Sequence, residues 1–316
     1  MRKYKIFVRY YLSLSFLLMV FFYLMTNYGF NEDLLWVKEV KSKKDSYVNA
    51  EKNNKIVINS GSNALFGIRS KEITEQLGVP AYNMSMHAGL GLDFILEESK
   101  GFLKSGDTII LPLEHELLMN DFFGNTTKLA FDYYRLYEPE KVGRIIPIDR
   151  WRYTFQNNPM ESIINAATSL LKKSSEIGYK SSNLNDHGDQ INNIEYKETL
   201  IKHRQPITIP AQLKETIGLK KLDDFNKWCE ANGIALYYTY PNMIFFEEYL
   251  NQNYQNYFLF LDQYFAEHHI KVLMKQKDSL YNKELFYDTD YHMNEKGVSL
   301  RTADIIKELR KVFVNK

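Results

Sequence analysis

The chain has 316 residues, 45% of them apolar, enough for a sizeable core in one large α/β domain or two small ones. Its formal net charge is +1, so no global field points to nucleic acid as a partner. Cys229 is the single cysteine, which excludes an internal disulfide and a thiolate metal site; it reads as a buried thiol in a helical stretch.

From Tyr10 to Phe30 there are 21 residues without a charge. At about 1.5 Å per residue this run covers roughly 30 Å, the hydrocarbon thickness of a bilayer. Arg2, Lys3, Lys5 and Arg9 precede it and Glu32 and Asp33 follow it. The positive-inside bias then predicts a cytoplasmic N-terminus and a single-pass protein whose remainder lies outside. The run is long for a signal peptide and Thr26–Phe30 offers no small-x-small cleavage site, which favours an uncleaved anchor over residues 1–30. Lys, Asp and Asn dominate Lys38–Asn54, so residues 31–53 read as a polar, solvated tether.

An α/β alternation is expected over residues 54–316. Ile56, Val57 and Ile58 are β-branched, the mark of a buried strand, and the strand ends at once in Asn59-Ser60-Gly61-Ser62-Asn63. Gly61 is read as a turn residue, Ser70 as the N-cap of the next helix and Gly78 as its stop. Ser62 therefore stands where a strand exits toward a helix, the end of the sheet at which open α/β proteins bind ligands. Val79–Ser85 is a second strand whose Pro80 suits an edge. His87-Ala88-Gly89-Leu90-Gly91 then enters a helix running through Leu103. Two glycines at a helix entry offer N–H groups to an oxyanion, or simply shape the turn. Thr108–Pro112 is a third buried strand, with Glu114 and His115 at its exit, either facing a site or forming a polar cap.

Residues 119–215 break the alternation. An aromatic block around Phe122, Phe131, Tyr133 and Tyr134, an amphipathic helix over Met160–Lys173 and a polar loop over Lys180–Asn193 read as an insertion that forms a lid or substrate wall. Most of its aromatics are expected in a core, and the remainder as platforms for a sugar or lipid. Asp186, His187 and Asp189 lack the i, i+4 pairing of a helical metal site and read as a solvated loop, so no metal is expected. The alternation returns with a helix over Leu219–Asn232, the strand Ile234–Tyr240 with Asn242 at its exit, a helix over Tyr254–Glu267, the strand Ile270–Met274 and a last helix over Val298–Val312.

Just before that last helix stand Asp288, Asp290 and His292. A serine hydroxyl is a weak nucleophile at neutral pH; a histidine in reach takes its proton, and a carboxylate on the other ring nitrogen fixes the tautomer. Ser62, His292 and an aspartate supply those parts. Asp288 follows Phe286-Tyr287, where a strand-like run fixes position, and is the expected partner, with Asp290 as its substitute. The plainer reading is that these residues, with Asn294, cap the last helix.

A serine after the first strand and an Asp/His pair before the last helix, at opposite ends of an α/β chain, resemble the SGNH (GDSL-like) hydrolase superfamily. Ser60-Gly61-Ser62 holds the place of the family's Gly-x-Ser block, without its leading Gly and usual Asp. The aspartates stand four and two residues before His292, where the family has three. No asparagine follows the third strand. The resemblance is nearest to membrane-anchored bacterial members that handle acyl groups on cell-envelope polymers, such as the teichoic-acid D-alanylation proteins. It implies a three-layer, SGNH/flavodoxin-like parallel sheet with helices on both faces, preceded by one N-terminal transmembrane helix. It also implies a serine esterase or O-acyltransferase that needs no cofactor. Gly89 or Gly91 would donate to the oxyanion, with Asn63, Glu114 and Asn242 as further oxyanion or substrate contacts. Its partners would be the membrane, an envelope or lipid-linked glycan and a membrane-bound acyltransferase. A non-catalytic envelope protein on a degenerate SGNH scaffold is the alternative.

Overall fold

Short apolar strands bounded by turn residues assemble here into a parallel sheet. In chain order the strands are β1 (Ile56–Ile58), β2 (Ala81–Asn83), β3 (Thr108–Leu111), β4 (Ala235–Tyr238), β5 (Met243–Ile244), β6 (Lys271–Val272) and β7 (Leu280–Tyr281). Five of them form one sheet in the order β2-β1-β3-β4-β6, every neighbouring pair parallel. β5 and β7 pair separately. β2, which follows Pro80, lies at the sheet edge, where a missing N–H costs no ladder bond. The computed structural model describes residues 2–28, 32–155, 164, 179–193 and 198–314.

The helices are α1 (Arg2–Tyr28), α2 (Glu32–Ala50), α3 (Ser62–Leu65), α4 (Ser70–Leu77), α5 (Gly91–Phe102), α6 (His115–Met119), α7 (Lys128–Tyr137), α8 (Pro139–Ile145), α9 (Ile217–Ala231), α10 (Gln252–Glu267) and α11 (Glu295–Val314), with one further turn of helix at Glu198–Ile201. Side-chain alternation along β3 gives each face of the sheet its own core. Ile109 and Leu111 pack with Leu236 and Tyr238 of β4 against α5, α9 and α10. Ile110 packs with Ile56 and Ile58 against α3, α4 and α11, through Ala64, Ile73, Ile305 and Leu309. Cys229 is buried within the first of these cores, and burial pushes its thiol up to about 12.

Two compact units are present. One comprises Met1–Lys38 and Phe131–Glu176, and the other Glu39–Ala130 and Ile177–Lys316. The sheet belongs wholly to the second. In the first, Lys3–Tyr23 of α1 has a mean hydropathy of 1.7, with none of it buried. Among the described residues it is the one helix long and apolar enough to cross a membrane. Phe131, Tyr133 and Tyr134 are buried, so these members of the aromatic block serve as core. The helix expected over Met160–Lys173 lies outside the described residues apart from Ile164. Residues 119–215 add no strand to the five-stranded sheet among the described residues.

Three expectations are corrected. Residues 32–50 are a helix, not a solvated tether. Val40, Lys41, Lys44 and Val48 of α2 are buried, and Val48 packs with Val57, Met84 and Phe102. Those positions recur at helical spacing, and the lysine stems supply apolar length that composition alone hides. The loop at 180–193 is not solvated at its core either: Asp189 is fully buried and accepts from the N–H groups of Ser70 (2.6 Å) and Lys71 (3.0 Å). It caps α4 from far along the chain, so Ser70 is the first residue of the helix and not its side-chain cap. Gly78 ends α4 in the left-handed region at φ 69°.

Candidate functional site

The turn after β1 is built on a buried carboxylate. Glu114, just past β3 and 2% exposed, accepts from the N–H of Gly61 (3.3 Å) and of Asn63 (3.1 Å), and its Oε2 lies 3.0 Å from Ser60 Oγ. Asn63 Nδ2 donates to Pro112 O (2.7 Å) and to Ser60 Oγ (3.1 Å). Together they lock the loop after β1 to the loop after β3. The need for glycine at 61 is space and not backbone angle. Its φ is an ordinary −79°, but a Cβ would come within 2.4 Å of Glu114 Oε1 and 2.6 Å of Ala88 Cβ. Ser60, Asn63 and Glu114 are buried, and these bonds serve the turn. Ser62 is half-buried as the first residue of α3.

The two candidate glycines lie in the neighbouring loop. The N–H of Gly89 donates to His87 Nδ1 (2.8 Å) and that of Gly91 to Ala88 O. Both are engaged within the turn, so either would reach an oxyanion only after that turn rearranges. Gly91 adopts φ 81°, and a Cβ there would meet Asn125 O at 2.4 Å.

The histidine sits on a closed loop. An antiparallel bridge between Phe286 and Met293 closes it, Tyr287 N donates to His292 O (3.0 Å), and Thr289 Oγ1 accepts from His292 N (2.9 Å). Within it His292 Nδ1 lies 2.9 Å from Asp288 Oδ1. Of the two aspartates Asp288 is the one that meets the ring. Asp290 faces Arg204, whose Nε is 3.9 Å from its Oδ1, and burial pushes its carboxyl up against the pull of that arginine. Asn294 does cap α11, accepting from Gly297 N at 3.0 Å, so capping is done without His292.

Three links join the serine turn to the histidine loop. The His292 ring packs on Phe66, centroids 4.5 Å apart, and Phe66 N bonds Ser62 O one helical turn on. Asn193 Nδ2 donates to Phe66 O and to Met293 O, both at 2.9 Å. Asn242, fully buried past β4, donates to Tyr291 O (2.6 Å), and its Oδ1 abuts Gly67. Asn242 thus supports the loop. Ser62 Oγ itself makes no hydrogen bond with His292. The other histidine near β3 is structural: His115 meets the hydroxyl of Tyr257 at 2.8 Å, and burial lowers its pKa to about 3. Tyr291 donates to Glu116 (3.0 Å), whose carboxyl burial pushes up.

Phe66 and Asn193 were not legible as site residues. Phe66 is one apolar residue among many, and Asn193 closes a polar loop; only the i+4 spacing of Phe66 from Ser62 carries a local signal. No cluster of three or more His, Cys, Asp or Glu side chains able to hold a metal occurs among the described residues. No family model matches the chain. No curated protein matches it either.

Proposed function

We propose that the protein is an SGNH-type serine esterase or O-acyltransferase acting on a cell-envelope polysaccharide outside the cytoplasmic membrane, held there by α1 with its N-terminus inside. The observation that carries this reading is the Asp288–His292 pair, whose imidazole packs on Phe66, one helical turn beyond Ser62. His292 Nε2 takes the proton as Ser62 Oγ attacks an acyl carbonyl. Asp288 holds Nδ1 protonated and stabilises the imidazolium. The donor's alkoxide leaves with that proton, and the acyl group stays on Ser62 as an ester. A sugar hydroxyl, or water, then gives its proton to Nε2 and attacks the ester, and the proton returns to Ser62. Acyl-coenzyme A is confined to the cytoplasm, so the donor arrives through a membrane-bound acyltransferase or a lipid carrier. The serine turn follows the carboxyl end of β1, an inner strand in the order β2-β1-β3-β4-β6, and such sheets bind ligands at that end.

The missing Ser62–His292 hydrogen bond and the engaged N–H groups of Gly89 and Gly91 favour a second reading, a non-catalytic envelope protein on the same scaffold. A fluorophosphonate probe separates the two. The catalytic reading expects labelling of the wild type, none of Ser62→Ala, and loss of glycan acylation in cells carrying that variant at normal protein level. Unlabelled wild type, together with full acylation by Ser62→Ala, establishes the scaffold reading.

A further inference from the structure

We infer that the segment around Ile148–Phe155 is a second membrane contact, lying in the headgroup layer of an anionic leaflet beside the exit of α1. This rests on the reading that α1 spans a bilayer. The segment belongs to the same compact unit as α1, in which Lys3–Tyr23 is unburied whereas Leu34 and Val37 of α2 are buried. In that unit Lys38 of α2 sits over the ring of Tyr137, the last residue of α7, and α7 leads along the chain into α8 and then Ile148–Phe155.

The exposed face has the chemistry of a membrane interface. Ile148 is 84% exposed and Trp151 45%. Two large apolar side chains left in water are an unfavourable arrangement that burial in a lipid interface relieves. Tryptophan favours the headgroup level because its ring is apolar and its N–H polar. Between Arg144 and Phe155 the chain carries three cations, Arg144, Arg150 and Arg152, against one carboxylate, Asp149, while Lys141 just before them is paired with Glu138 (2.5 Å). Arg144 and Arg152 are exposed, whereas Arg150 is held by Asp149 (3.2 Å) and the Tyr153 hydroxyl (3.0 Å). The charge excess matches anionic lipid, to which exposed cations near the surface are attracted. A short helical piece with an apolar tip and a basic rim lies in the interface plane and does not cross it.

The full chain reconstituted in phosphatidylcholine/phosphatidylglycerol nanodiscs tests this, with dibrominated phosphatidylcholine as the tryptophan quencher. Trp36, Trp151 and Trp228 are the only tryptophans. Trp151→Phe should remove a strongly quenched component from the wild-type emission. In single-tryptophan variants Trp151 should be quenched roughly two-fold more than Trp228, and Arg144→Glu with Arg152→Glu should bring it down to the Trp228 level. Equal quenching of Trp151 and Trp228 in a protein that resists alkaline carbonate extraction overturns the interfacial contact alone. Release by carbonate overturns the anchor and the contact together.

Discussion

His292 has two carboxylates within four residues, and the structure assigns them different work. Asp288 lies against Nδ1, and Tyr287 and Phe66 flank the ring on its faces. Asp290 is turned to Arg204. If His292 is a general base, only Asp288 sets its tautomer. Asp288→Asn would present an amide that no longer favours the proton on Nδ1, and labelling of Ser62 by a fluorophosphonate should fall by about 10³–10⁴-fold. Asp290→Asn removes a half-buried carboxylate whose ion pair with Arg204 is long (3.9 Å), and labelling should change less than about three-fold. Equal losses in the two variants would show that the loop, and not the Asp288–His292 pair, is what the aspartates serve. The spacing of these residues was readable in the sequence, and the strand-like run before Asp288 gave the physical reason to prefer it. Glu114 was legible as a residue at a strand exit that either faces a site or forms a polar cap, and not as the anchor of the turn after β1. Its role depends on the loop after β1 arriving beside it, and nothing local to Leu113–Glu116 encodes that approach.

Among the elements, α2 departs most from its composition. Its lysines read as solvent-exposed, yet Lys44 Nζ reaches Asn83 O (2.8 Å) at the end of β2 and Ser85 O (2.6 Å) just past it, and burial lowers its pKa to about 7. Lys41 goes the opposite way, raised by Glu98 (2.9 Å) and Asp45 (2.6 Å) in spite of its burial. The sign of the linkage follows. The unfolded chain keeps a proton on Lys44 up to about pH 10.5, whereas the folded chain releases it near 7, so stability rises with pH across that window and is lowest below it. A raised group such as Lys41 contributes fully below pH 10.5 and loses its contribution only above it, so it adds no slope there. Unfolding by urea at pH 7 and pH 9.5 should show the wild type gaining on the order of a few kcal/mol relative to Lys44→Met. The same difference at both pH values would mean that Lys44 is charged and paired in the fold. A composition-based reading misses α2 because lysine is amphipathic by atom: four methylenes pack while one ammonium finds carbonyls.

At the scale of the molecule, the first strand and the last helix are brought together by residues from the middle of the chain. The α/β alternation at both ends was legible because strand and helix periods differ and glycines punctuate them. The middle was not, because its polar residues act at long range. Asp189 caps α4, Arg69 reaches Glu295 (2.7 Å) and Gln190 O, and Asn193 spans Phe66 O and Met293 O. Asn193 is the sharpest test, since its one NH₂ group donates to carbonyls on the serine side and on the histidine side. Asn193→Ala leaves both carbonyls without that donor and should lower stability by about 1–3 kcal/mol, read as a fall in thermal midpoint. Asn193→Asp keeps the shape but turns a carboxylate oxygen toward two carbonyl oxygens, so it should cost more than the alanine despite being nearly isosteric. If Ser62 and His292 act together, both variants should also lose fluorophosphonate labelling at 25 °C, under conditions where the protein is still folded. A stability loss with undiminished labelling would mean that the serine turn and the histidine loop keep their register without the clamp. An aspartate variant as stable as wild type would mean that the Asn193 amide does not donate to these carbonyls at all.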